Sequence, residues 1–196
     1  MYSAKNATLS MNGKTMNYVT FGKGKQPLVI LPGLGDGLQT VMGMAHMLAL
    51  TYREFAKVYK VYVFSRINEL PENYTTRNMA ADVAEAMETL NLDAAYVIGI
   101  SQGGMIAQWL AVDFPEKVQR LILAVTTAKP SQLARERIEH WQKLSQSGNL
   151  SISCLILQST PTRKRAIKSG ACFIMSWETL VVLKINNVLL FRLYLV

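Results

Sequence analysis

Cysteine and histidine are both scarce in this 196-residue chain, with two of each. Cys154 and Cys172 cannot supply a disulfide framework, and no spacing of His, Cys or carboxylates resembles a metal site. Long apolar runs are missing as well. A membrane span needs roughly 18 uninterrupted apolar residues, and the nearest stretch, LVVLKINNVLLFRLYLV at 180–196, is broken by Lys184, Asn186, Asn187 and Arg192. The opening MYSAKNATLS has a lysine but no apolar segment behind it, so no secretory signal and a cytoplasmic location are expected. Internal repeats and low-complexity tracts are absent.

Negative charge is short at one end only. The net formal charge of +8 divides into +3 over residues 1–150 and +5 over 151–196, where Glu178 is the single acid. A nucleic-acid surface needs clustered Lys and Arg on a docking element. Only TRKR at 162–165 resembles a cluster, so no nucleic-acid partner is expected.

Half of the residues are apolar, enough for one globular core in a chain of this length. NATLSMNGKTMNYVTFG reads as two strands joined at Asn12-Gly13, a dipeptide that tolerates the positive φ angles of a two-residue hairpin turn. Pro27–Leu31, Val58–Ser65, the run AAYVIGI and Val118–Val125 read as apolar strands. Between them, Leu38–Lys57 reads as one helix, and TTRNMAADVAEAMETLNL as another. In the second, Met79, Val83, Met87 and Leu90 make one apolar face. GGMIAQWLAVDF follows as a third helix, and 131–148 as a fourth with Ser131 as N-cap. Alternation of this kind predicts an α/β fold, a mostly parallel doubly wound sheet with helices on both faces.

The run YVIGISQGGMIAQWLA breaks on Gly99 and carries one polar Ser101. Gly99-Ile100-Ser101-Gln102-Gly103 matches G-x-S-x-G, a tight strand-to-helix turn that pushes the serine hydroxyl out at the top of the sheet. Acyl chemistry also needs two backbone N–H groups aimed at the developing oxyanion. Gln102 is placed to give one, and LPGLGDG (31–37) the other from Leu34, with Gly33 allowing close approach. A dinucleotide fingerprint starting at Gly33-Leu34-Gly35 fails, because its sixth position is Leu38.

The hairpin, PLVILPGLGDG, GISQGGMIAQWLA and DFPEKVQRLILAV, in this order and spacing, resemble the N-terminal half of an α/β-hydrolase-fold serine hydrolase. The likeness covers about residues 6–130, with 131–148 similar to the start of the family's helical cap. It divides the chain into a core at 1–130, the start of a cap at 131–150 and an atypical tail at 151–196. The resemblance implies a nucleophilic role for Ser101, oxyanion amides at Leu34 and Gln102, a small-molecule ester or related acyl substrate, and no cofactor. Pro32-Gly33 stands where many members have His-Gly, a tolerated change because the backbone does the work.

A catalytic acid and histidine should follow the serine in this fold, on loops after two later strands. His46 precedes it, and His140 lies among charged residues on a helix. Asp113 ends the helix that the serine begins, ~17 Å along its axis. TTAKP, after the fourth sheet strand, has no carboxylate. Beyond Glu139 the single acid is Glu178. The tail reads as the product of a reading-frame shift near residue 150, with a divergent cap as the alternative. On the first reading Val118–Val125 would be left as an apolar edge open to aggregation. Two functions are therefore carried forward: a serine hydrolase, impaired in this chain, and a non-catalytic remnant or binding module with the hydrolase sheet.

Overall fold

The computed structural model of the chain describes residues 3–37, 40–146, 180–185 and 188–193. The chain divides into two compact units, 1–128 with 179–196, and 129–178. The first carries one sheet. Strands β1 (Lys5–Met11) and β2 (Lys14–Phe21) form the expected hairpin. Its turn is made by Asn12 and Gly13 at φ 39° and 82°, the left-handed pair that matches the twist of the flanking strands.

β3 (Pro27–Leu31), β4 (Lys60–Ile67), β5 (Ala95–Ile100) and β6 (Val118–Ala124) run parallel, and β2 joins β4 antiparallel. Two further strands, β7 (Leu180–Ile185) and β8 (Val188–Leu193), give the order β1-β2-β4-β3-β5-β6-β8-β7. β8 lies parallel to β6, with Leu121–Ala124 opposite Val188–Phe191. Of the open edge expected at Val118–Val125, the part over Leu121–Ala124 is therefore paired. The unpaired N–H and C=O groups of an edge are a template for a further strand, and a segment of the tail fills that part. The start of the cap beyond residue 146, the frame-shift reading of 151–179 and the TRKR cluster lie outside the described residues.

Period-two alternation sends the strand side chains to two cores. Val29, Leu31, Phe64, Val97, Leu121 and Leu123 face α3 (Thr76–Thr89) and α4 (Gln102–Asp113). Leu28, Ile30, Val61, Val63 and Ile98 share the other core with Ala45, Ala49 and Ala56 of α1 (Ala45–Thr51) and α2 (Arg53–Val58). On α3, Val83 and Met87 are buried, while Met79 and Leu90 pack half-buried at the same core. The single helix expected over 38–57 is instead two short ones beginning at Ala45. Gly43, at φ 85°, sits in the turn before α1. The Val41 amide is held by the buried Ser65 hydroxyl at 2.9 Å. Tyr52, at φ −101° and ψ 26°, separates the two helices. In the second unit, α5 (Gln132–Gln146) begins after Ser131, whose carbonyl accepts from Arg135 N at 3.0 Å. No helix among the described residues is long and apolar enough to cross a membrane.

Candidate active site

β3 lies at the centre of the parallel strands, and the chain passes from it to β4 on one side and later to β5 on the other. Sheets of this kind bind ligands where the order reverses, outside the carboxyl ends of the strands. The register fixes what meets there. Leu31 pairs with Gly99 and Ile100 with Ala124. Ser101 therefore emerges between the loop that begins at Pro32 and the residues that follow Ala124.

Ser101 occupies the N-cap position of α4 at φ 53° and ψ −118°, a region that costs a non-glycine residue of order 1–3 kcal/mol. Packing and hydrogen bonds around the turn hold it there. Its N–H donates to the Ala124 carbonyl at 2.9 Å, and its own carbonyl accepts from Gly104 N at 3.0 Å and from the Thr126 hydroxyl at 2.7 Å. An N-cap serine ordinarily turns its oxygen back onto the first turn of its helix. This one makes no capping bond. Its exposed hydroxyl has no hydrogen-bond partner among the described residues.

The surrounding glycines are demanded by close approach. A Cβ on Gly99 would stand 2.6 Å from the Gly103 carbonyl oxygen, and one on Gly103 only 2.0 Å from that of Leu31. At Gly33 it would come within 3.3 Å of the Ser101 Cβ, so the loop after β3 lies directly against the serine. Gly104, to which the sequence reading gave no role in the site, would place a Cβ 2.5 Å from that of Thr126. Leu34 follows Gly33 and opens a 3-10 turn, Leu34–Gly37, with its side chain partly exposed. Gln102 opens α4, so its amide belongs to the first turn, where N–H groups have no partner within the helix.

One family model covers residues 26–149 of the chain, that of the alpha/beta hydrolase fold. The chain belongs to the α/β hydrolase fold family. Among curated relatives, this hydrolase-fold chain is 30% identical over 123 residues to 3-oxoadipate enol-lactonase 2 of Acinetobacter baylyi. That match takes in 62% of the chain and 45% of the relative, so the chain spans less than half of that protein's length. Among solved structures, it is similar to a hydrolase from Pseudomonas aeruginosa, with a TM-score of 0.58, 25% identity and coverage of 82% and 64% of the two chains. An alpha/beta hydrolase fold protein from Chitinophaga pinensis, at TM-score 0.57, 19% identity and coverage of 72% and 52%, shares the fold.

The remaining titratable candidates of this family member are His46, His140 and Asp113. His46 is exposed on α1, and His140 is exposed on α5. Asp113, at the far end of α4, accepts two bonds from Arg77, from Nε at 2.8 Å and Nη2 at 2.9 Å. Those bonds hold its carboxyl below its ordinary pKa. No group of three His, Cys, Asp or Glu side chains among the described residues could hold a metal ion.

The sequence reading missed Arg66 and Thr126. Arg66 is buried at the end of β4, where it donates to the Pro32 carbonyl at 2.8 Å and to Gln102 Oε1 at 3.2 Å. The available signal was the pair Ser65-Arg66 at the end of the apolar run VYVF, since a charge closing a buried strand must find partners. Thr126 lies in TTAKP, a stretch searched only for a carboxylate.

Proposed function

We propose that the chain carries the nucleophilic half of a serine hydrolase site, acting on a carboxylic ester or related acyl substrate. Ser101 Oγ would attack the acyl carbon, the ester C–O bond would break, and the serine proton would leave with the departing alcohol; water would then hydrolyse the acyl-enzyme to the acid and free serine. The peptide N–H groups of Leu34 and Gln102 would receive the negative charge that develops on the carbonyl oxygen. Gly33, Gly99 and Gly103 would allow these parts to approach. The observation that carries the reading is the strained, exposed and unbonded serine at the carboxyl end of β5. The lactonase relative supports the ester class, because a lactone is a cyclic ester.

A second reading is favoured by one specific observation: within the unit that holds Ser101, no histidine or carboxylate among the described residues hydrogen-bonds its hydroxyl. Without a base the hydroxyl stays protonated and weakly nucleophilic. The chain alone would then react slowly, or serve as a binding module that keeps the sheet without turnover. A fluorophosphonate probe with peptide mapping separates the two. The hydrolase reading expects one phosphonyl adduct, on Ser101, that disappears in Ser101→Ala. A cooperatively melting protein with no adduct, or with adducts spread over other serines, rejects it in favour of the second.

A further inference from the structure

Arg66 lies on β4, yet one of its acceptors belongs to the helix that follows β5. β3 stands between those two strands, so the Arg66 and Gln102 side chains meet past the end of β3, together bridging about two strand spacings, roughly 10 Å. Arg66 is 6% exposed. Burial of a guanidinium is costly unless the fold supplies well-placed acceptors. Here Nη2 donates both to the Pro32 carbonyl and to the Gln102 side chain. Pro32 stands two residues before Leu34, and Gln102 directly follows Ser101. The two contacts therefore fall on the two segments whose amides the hydrolase reading uses.

The loop after β3 needs such an anchor. In PGLGDG, Gly33 and Gly35 let the backbone rotate at little steric cost. A guanidinium bonded to the Pro32 carbonyl fixes the plane of the Pro32–Gly33 peptide, the fixed end from which the Gly33 backbone then aims the Leu34 N–H. We infer that Arg66 is a positioning residue of the oxyanion site, tying the loop after β3 to the turn after β5 and setting the spacing of the Leu34 and Gln102 amides. This rests on the reading of Ser101 given above. Lysine would not replace it in full, because its ammonium is a rotatable point charge, whereas the two N–H bonds of Nη2 are held in the guanidinium plane.

The test pairs fluorophosphonate labelling of Ser101 with amide hydrogen exchange in wild type, Arg66→Met, Arg66→Lys and Gln102→Met. Losing one oxyanion donor slows catalysis by about 10²–10³-fold, and a loosened donor should cost less. Arg66→Met is expected to lower the limiting labelling rate by roughly 10–100-fold without raising the half-saturating probe concentration. Arg66→Lys should recover part of that rate. Exchange over residues 31–37 should accelerate in Arg66→Met while β5 stays protected. An unchanged rate with unchanged exchange in that loop overturns the inference, and so does faster exchange spread evenly over the sheet. If Arg66→Met does not fold, Gln102→Met carries the same two readouts, since it removes one acceptor and keeps the backbone amide. If wild type is not labelled at Ser101, the hydrolase reading falls. Loop exchange alone then decides whether Arg66 holds the loop.

Discussion

Both carboxylate oxygens of Asp82 are engaged, whereas the hydroxyl of Ser101 meets no partner among the described residues. Asp82 is 3% exposed on α3. Its Oδ1 accepts from Lys14 Nζ at 2.7 Å and its Oδ2 from the Tyr74 hydroxyl. Glu85, one turn along, accepts from Asn12 at 2.6 Å and faces Lys14 at 3.5 Å. A cavity of about 270 Å³ opens beside Lys14, Tyr74 and Asp82, but the acid beside it is satisfied by its neighbours. This grouping fastens the β1–β2 hairpin to α3. At Ser101 the opposite holds, because the bonds fix the backbone and leave the side chain bare. A buried polar group that is fully bonded is a fastening, whereas a strained residue with an exposed, unbonded hydroxyl is what the proposed nucleophile requires.

The comparison can be broken most forcefully at the turn itself. Gly103→Ala drives a Cβ into the Leu31 carbonyl and should cost about 3 kcal/mol or more, read as a large fall in denaturant midpoint or as failure to fold. Asp82→Ala removes the shared acceptor of Lys14 and Tyr74. It should cost about 1–3 kcal/mol by denaturant titration, with Ser101 labelling unchanged. A matching loss of labelling would show that the two regions are not independent.

Substitution of Ser101 by Gly sharpens the other side. It relieves the left-handed φ and should raise stability by about 1 kcal/mol while abolishing labelling. A destabilised Ser101→Gly would mean that the side chain contributes to the fold.

The smallest effect concerns alkaline pH. The hydrogen bond from Lys14 to Asp82 raises the Lys14 pKa above its ordinary 10.5. Burial, then the bond to Asp82, raises that of Tyr74 above 10.0. Both folded-state values lie above the unfolded ones, so the stabilisation is complete below those ordinary values and is lost as pH rises beyond them. Thermal melts between pH 9 and 11 should fall less steeply in Asp82→Ala than in wild type.

Much of the sheet was legible because buried parallel strands write themselves as short unbroken apolar runs. Pro27–Leu31 and Val118–Ala124 needed no tertiary information to be seen. The Asn12-Gly13 turn was equally open, its chemistry being local. The start of the helix over 38–57 was misread because Ser65, a distant residue, holds the Val41 amide ahead of it. Gly104 was given no role beside Gly103, since the Thr126 side chain that excludes a Cβ there arrives from another loop. Arg66 was missed for the same reason, its acceptors lying 34 and 36 positions away in the chain.

By itself the sequence determined the alternation of strands and helices, and the glycine spacing that admits a tight turn at Ser101, because periodicity and steric permission are local properties. Tertiary structure alone decided which oxygens and amides meet around that turn. Such meetings depend on the order in which β4, β3 and β5 lie side by side, and no single segment of the chain encodes it.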